Sequence, residues 1–196
     1  MPLQNRVTPF STIEADPARG MFMGNRGCLH GAHQNLEVEK TREKRWLICV
    51  TNFKNRKRRI MHPGHYTELF FLDEATALSA GHRPCAECRR QAFDVFLKLY
   101  PGKRANAEIL DKYLAANRLR PWPATFAEVP DGTMYAISTD AFLKWRGKAW
   151  RWQHAGYAPA DIPDGAVEIL TPESTVEVLA AGYKPVVHSS VSLLRP

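Results

Sequence analysis

The sequence predicts an α+β protein of small mixed strands and helices with a β-rich C-terminal part. Three observations lead there. Residues 66–100 read as strand, helix, tight turn and second helix, with two cysteines where the second helix should open. Elsewhere the strand-like runs are short and are punctuated by Pro, Gly and Asn. Beyond residues 121–132 the composition shifts to tryptophans alternating with basic residues about an Arg-Gly turn.

Residues 66–71 are rich in aromatic and β-forming side chains, as a buried strand is. Asp73 can cap the next helix by accepting from backbone N–H groups two or three residues on. Gly81 stands where that helix must stop, in the position that favours a left-handed backbone. Pro84 has a φ suited to a first helical turn, which sets Cys85 and Cys88 on one face at the start of a helix reaching about Leu99. Free N–H groups and the dipole at such a start favour thiolate, the form that binds metal.

A lone CxxC has three readings: half a zinc site, a thiol–disulfide pair, or inert buried cysteines. Zinc is favoured here. The pair follows a helix and a Gly-His-Arg-Pro turn, not the strand of a thioredoxin-like unit, and Cys28 and Cys49 lie upstream with histidines close by. A structural zinc takes four ligands. Cys49 is the preferred third, although a cysteine in a strand is equally at home in a core. Cys28 or His30 is the fourth, and spacing does not choose between them. His62 and His65, flanking Pro63–Gly64, are reserves.

DEATALSAGHRPCAEC, residues 73–88, resembles the second half of the Ada-type metal-binding domain of DNA-alkylation repair. The resemblance implies that Cys85 and Cys88 ligate zinc and that DNA is the partner. In that family a zinc-bound thiolate accepts a methyl group from phosphotriesters, and Cys49 is the candidate for that role. The family's cysteine-bearing loop before the strand has no counterpart in residues 53–66, which contain no cysteine. MGNRGCLH, residues 23–30, is similar to a GN…H motif of nuclease-associated members. GNRG, YTELFFLDEATAL and GHRPCAECRR together resemble a bacterial group that shares all three.

The remaining elements follow in chain order. Residues 1–20 hold three prolines and little periodicity, which predicts an irregular leader. A short strand enters the GNRG turn, where Arg26 faces either a phosphate or, as the preferred reading, a structural ion pair. Residues 45–53 have strand composition, and residues 58–61 are expected to pair back across 54–57 as a hairpin. Phe93, Phe96, Leu97 and Tyr100 form an apolar stripe at helical spacing, which reads as core. A further helix is expected over residues 105–118. The break at 121–132 divides the chain into a zinc-binding part, residues 1–120, and a small β-rich part, residues 121–196. There, residues 133–137 and 142–153 read as strands whose tryptophans either fill a β core or stack on bases. Residues 167–187 repeat strand, Thr171 cap, Pro172 and helix, and lack a second CxxC.

Charge bears on partners. The chain carries a net charge of +7, and residues 40–59 hold nine basic side chains against one acid, Glu43. Lys54, Arg56, Lys57, Arg58 and Arg59 form the densest run, which suits a nucleic-acid backbone, DNA or RNA, or else a solvated hairpin tip. Arg89 and Arg90 either extend that basic face or are simply solvated. Zinc deaminases pair P-C-x-x-C with an upstream H-x-E, and here only His65-x-x-Glu68 precedes the cysteines. No Ser-His-Asp order, paired carboxylates or phosphate loop stands out, so catalysis is left open, with a zinc-thiolate methyl acceptor or a metal-dependent hydrolase or nuclease as the enzyme alternatives. Four cysteines, two of them as CxxC, no secretory signal and no apolar run of membrane-spanning length lead to the expectation of a cytoplasmic, non-membrane protein. Oligomeric state leaves no sequence mark.

Overall fold

Alternating burial builds the first sheet. In the strands numbered here β3 (Phe22–Asn25), β4 (Leu47–Val50) and β5 (Leu69–Phe71), Phe22, Ile48, Leu69 and Phe71 are buried in one apolar cluster. The intervening residues Met23, Cys49 and Phe70 lie opposite one another across the strands. Directly opposed residues share a face, so the sheet has one core face and one face free of that core. In the computed structural model, which describes residues 1–37, 43–55, 59–101 and 106–192, three more strands complete this sheet. They are β1 (Gln4–Val7), β2 (Ile13–Ala15) and β6 (Arg83–Pro84), and the order is β2-β1-β5-β3-β4-β6. The expected irregular leader is therefore a hairpin, with β1 laid parallel against β5. Its strands are too short for period-two alternation to show in sequence.

Gly24 explains why β3 and β4 approach so closely: a Cβ there would meet the Leu47 carbonyl oxygen at 2.2 Å. Helix α1 (Glu74–Ser79) follows β5, with all six residues buried. Asp73 caps it as expected, accepting from the Thr76 N–H at 2.9 Å and the Thr76 hydroxyl at 2.8 Å. Gly81 ends it at φ +80°, the left-handed conformation its position required. Helix α2 (Arg90–Leu99) buries Phe93 and Phe96, and helix α3 (Ala107–Asn117) is capped by Asn106 through the Ile109 N–H at 2.9 Å.

Arg26 of the GNRG turn is buried without the expected ion pair among the described residues. Its Nε donates to His82 Nε2 at 3.2 Å and its Nη1 to the Ser11 carbonyl at 3.0 Å. Its guanidinium and that of Arg118 lie over the Trp46 ring at 4.2 and 4.1 Å from the centroid. An aromatic face thus takes the place of a carboxylate.

The C-terminal sheet contains β7 (Trp122–Thr125), β8 (Met134–Ile137), β9 (Asp140–Trp145), β10 (Lys148–Gln153), β11 (Gly156–Ala160) and β12 (Ala166–Ile169). Its order is β11-β10-β9-β8-β12-β7, antiparallel throughout. The fold is α+β with a β-rich C-terminal part, as predicted. Part of the break at 121–132 is strand: Pro123 sits in β7 at the sheet edge, the place where a proline costs no ladder bond. Arg146 and Gly147 turn β9 into β10 with positive φ, their N–H groups held by Asp131. Trp150 is buried and Trp145 and Trp152 pack against the same cluster, so these tryptophans fill a core. In the tail, helix α4 (Glu173–Ala180) starts after Pro172, which takes the cap position. Thr171, expected as the cap, instead accepts the Met134 N–H at 2.9 Å.

Helix α1 joins the two sheets. Leu72 and Ala75 pack with Met134, Leu143 and Trp150, whereas Ala77 and Leu78 belong to the cluster of the first sheet together with Val178, Leu179 and Tyr183. Asp73 also accepts from the Tyr157 hydroxyl at 2.9 Å and the His188 N–H at 3.0 Å. Glu74 accepts from the Tyr183 hydroxyl at 2.6 Å, the Val186 N–H at 2.9 Å and Arg89 at 2.8 Å. No helix among the described residues is long and apolar enough to cross a membrane.

Candidate metal centre

Strand pairing brings three thiols together. β6 runs parallel to β4, with Leu47 opposite Arg83 and Ile48 opposite Pro84. The ladder continues one residue further, the Cys85 N–H donating to the Ile48 carbonyl at 2.9 Å, which sets Cys85 beside Cys49. The chain then turns, and Cys88 comes back to the same point before α2 begins. The Sγ atoms of Cys49, Cys85 and Cys88 all lie within 4.8 Å of one another, and the group can hold a metal ion. A tetrahedral metal–thiolate set with bonds of ~2.3 Å separates its sulfurs by ~3.8 Å, which this grouping meets with little movement.

The cysteine pair does not ride on a helix, as the sequence suggested. Pro84 is in β6, residues 86–89 form turns and α2 starts at Arg90. The fixed φ of Pro84 serves an extended ladder position. Backbone N–H groups still point at sulfur, that of Glu87 reaching Cys85 Sγ at 3.4 Å. Hydrogen bonds from Cys49 and Cys88, with the N–H groups of Cys88 and Glu87, hold the Cys85 thiol down to about 2. Cys49 is pushed far up by its bonds to Cys85 and Cys88 and by burial. A cation that replaced the thiol protons would convert the set into three ligands.

The group opens into a cavity of about 390 Å³. Its walls include Met23, Phe53, Tyr66, Phe70, Glu68 and Glu87. Glu68 is buried and accepts the Met61 N–H at 2.8 Å. A second cavity of about 490 Å³ shares Thr51, Ile60 and Phe70 with it and is lined further by Arg6 and Arg19.

Of the five predicted ligands, three are gathered and two are not. Cys28 is exposed, its thiol turned to the His30 carbonyl at 3.5 Å. His30 is buried with Nδ1 on the Thr67 hydroxyl at 2.7 Å, an oxygen that also accepts the Leu29 N–H. Neither belongs to the thiol group, because the loop after β3 binds itself to residue 67 ahead of β5. The reserves His62 and His65 are exposed and packed edge to face.

Among the predicted nucleic-acid contacts, Lys54 and Arg59 are exposed, and Arg56, Lys57 and Arg58 lie outside the described residues. The described end of the expected hairpin, residues 59–61, contains no strand. Arg89 is not on a basic face: its side chain is 8% exposed, paired to Glu74 at 2.8 Å and set over the Phe22 ring. Arg90 is exposed and pairs with Asp94 one helical turn away.

Sequence reasoning missed Phe70 and Arg6 as wall residues. Alternation along β5 could have placed Phe70 with Glu68, whereas Arg6 depends on a parallel pairing that no local signal announces. Comparisons with protein-family models, curated proteins and solved structures gave no match for this chain.

Proposed function

We propose that this chain is a zinc protein that associates with nucleic acid, with zinc held by Cys49, Cys85 and Cys88. The observation that carries the reading is the convergence of three thiols from β4 and from the turn after β6 beside a cavity. A set of three sulfurs suits a soft or borderline cation such as zinc. The net charge of +7 and the exposed Lys54 and Arg59 next to wall residues Phe53 and Ile60 support an anionic partner. The likeness of residues 73–88 to the Ada-type domain agrees with a zinc-bound CxxC, although here the fourth cysteine stays outside the group.

A second reading rests on a specific feature. Three protein ligands with the fourth position facing a cavity is the arrangement of a catalytic zinc, whereas structural sites are closed. In that reading Cys49, Cys85 and Cys88 would hold a zinc that supplies Lewis-acid chemistry, and the buried carboxylate of Glu68 in the same cavity would take a proton from a water there. The methyl-acceptor reading would use Cys49 as nucleophile and leaves Glu68 without a part.

Metal content of protein purified under reducing conditions tests the centre. One zinc per chain is expected in the wild type, retained in Cys28→Ser and His30→Ala and lost in Cys49→Ser. Absence of zinc from reduced wild-type protein would overturn the reading. Binding of single-stranded DNA that weakens steeply with salt tests the partner.

A further inference from the structure

The strand order places a graded row of side chains across the free face of the first sheet. Arg6 of β1 lies opposite Phe70 of β5, Phe70 opposite Met23 of β3, and Met23 opposite Cys49 of β4, after which comes Cys85. The row therefore reads cation, aromatic, thioether, thiols. Strands stand ~4.8 Å apart, so its three steps from Arg6 to Cys49 span ~14 Å. The Arg6 guanidinium sits 5.0 Å from the centre of the Phe70 ring. One cavity flanks each half of the row, and Phe70 is a wall of both.

The two halves differ in charge. Arg6 and the exposed Arg19 line one cavity, whereas Glu68, Glu87 and the thiol group line the other, together with Phe53 and Tyr66. A ligand filling both needs an anionic group at one end and, at the other, a flat apolar body with hydrogen-bond donors on its rim. Each volume is within the ~300–1,000 Å³ range of ligand sites. We infer that this row is the binding cleft for a nucleotide unit of single-stranded nucleic acid, phosphate at Arg6 and Arg19 and base against Phe70, pointing its edge at the metal centre. The inference rests on the nucleic-acid reading above and moves the main contact away from the basic run 54–59. With Arg6 and Arg19 at one end only, the cleft fixes the nucleotide's direction. Donor-bearing edges, the exocyclic amines of cytosine and adenine, meet Glu68 and Glu87.

Fluorescence anisotropy with a labelled single-stranded oligocytidylate, and with the same backbone made abasic, tests this on zinc-loaded protein. Phe70→Leu should weaken the oligocytidylate about tenfold, in line with the loss of one base stack, and leave the abasic backbone unchanged. Arg19→Glu, a surface change, should weaken both oligomers and lower the salt slope by about one charge. Arg6→Gln should do the same, with its melting temperature recorded because Arg6 Nε also bonds the Ala18 carbonyl. Binding unaffected by Phe70→Leu and Arg19→Glu but lost in Lys54→Gln/Arg59→Gln would overturn the cleft and leave the nucleic-acid function standing. No binding of either oligomer by zinc-loaded wild type would overturn both.

Discussion

Acid should destabilise this protein through His82. The ring is fully buried, its Nδ1 donating to the Ala80 carbonyl at 3.1 Å while Nε2 accepts from Arg26 at 3.2 Å. Both nitrogens are used by the neutral ring, and a second proton would face a guanidinium N–H. Burial, and then the charges of Arg26 and Arg118, hold its pKa well below the usual 6.5. In the unfolded chain the imidazole takes its proton near that value, so below it the unfolded state binds more protons than the folded state. Stability from this group is complete above pH ~6.5 and falls by ~1.4 kcal/mol per pH unit as the pH drops, until the folded pKa is reached. At about pH 5 the loss is about 2 kcal/mol, or ~4–8 °C in melting temperature for a chain of this length. Thermal unfolding at about pH 7.5 and about pH 5 should be compared for wild type and His82→Gln, whose Oε1 can accept from Arg26 and has nothing to titrate. The variant should melt lower at neutral pH and lose less on acidification. Any acid release of metal is common to both proteins and cancels in the comparison. Equal losses in the two proteins would refute the argument.

Two further outcomes follow from buried groups. Arg83 and Asp111 form a two-pronged pair at 2.8 and 2.7 Å with side chains 3% and 5% exposed. Asp111→Asn should cost about 3–5 kcal/mol in urea unfolding, because it strands a buried guanidinium, and Arg83→Met/Asp111→Leu should recover most of the loss. Gly81→Ala forces a side chain into φ +80° and puts its Cβ 2.8 Å from that of Arg118. A loss of about 1–2 kcal/mol is expected by the same assay, and an unchanged midpoint would mean that the turn relaxes freely.

What the sequence made legible was local. The cap at Asp73, the stop at Gly81 and the Arg146–Gly147 turn each depend on residues within one turn of one another, and each was found where the pattern put it, while α3 fills 107–117 of the expected 105–118, residue 105 lying outside the described residues. Cys49 was legible as third thiol because strand composition and a cysteine coincide there. The failures share a cause. β1 pairs with β5 and β6 with β4, both parallel and distant in sequence, and no hairpin signal marks such pairings. Missing β6 put Pro84 in a helix, and missing β1 left Arg6 outside every candidate list. Arg26 was read by preference as one side of an ion pair, whereas Trp46 and His82 receive it. Arg89 was read as surface since its partner Glu74 is fifteen residues away, buried at the start of a helix.

The free face of the first sheet holds a charge problem whose solution links the two proposals. Three cysteines and two carboxylates, Glu68 and Glu87, line a single cavity with apolar walls. Fully ionised, the three thiolates would repel one another in a medium that screens poorly. Hydrogen bonds among the thiols hold the Cys85 thiol down and push Cys49 up, which postpones the conflict. A dication that displaced the remaining protons would leave three thiolates with one net negative charge between them. Any effect of bound metal on nucleotide affinity would be returned as an equal effect of nucleotide on metal affinity, because coupling between two sites is reciprocal. That coupling would fall on Phe70 and Met23, the two side chains between the arginine and the thiols, and neither of them need touch the metal for its replacement to weaken the link.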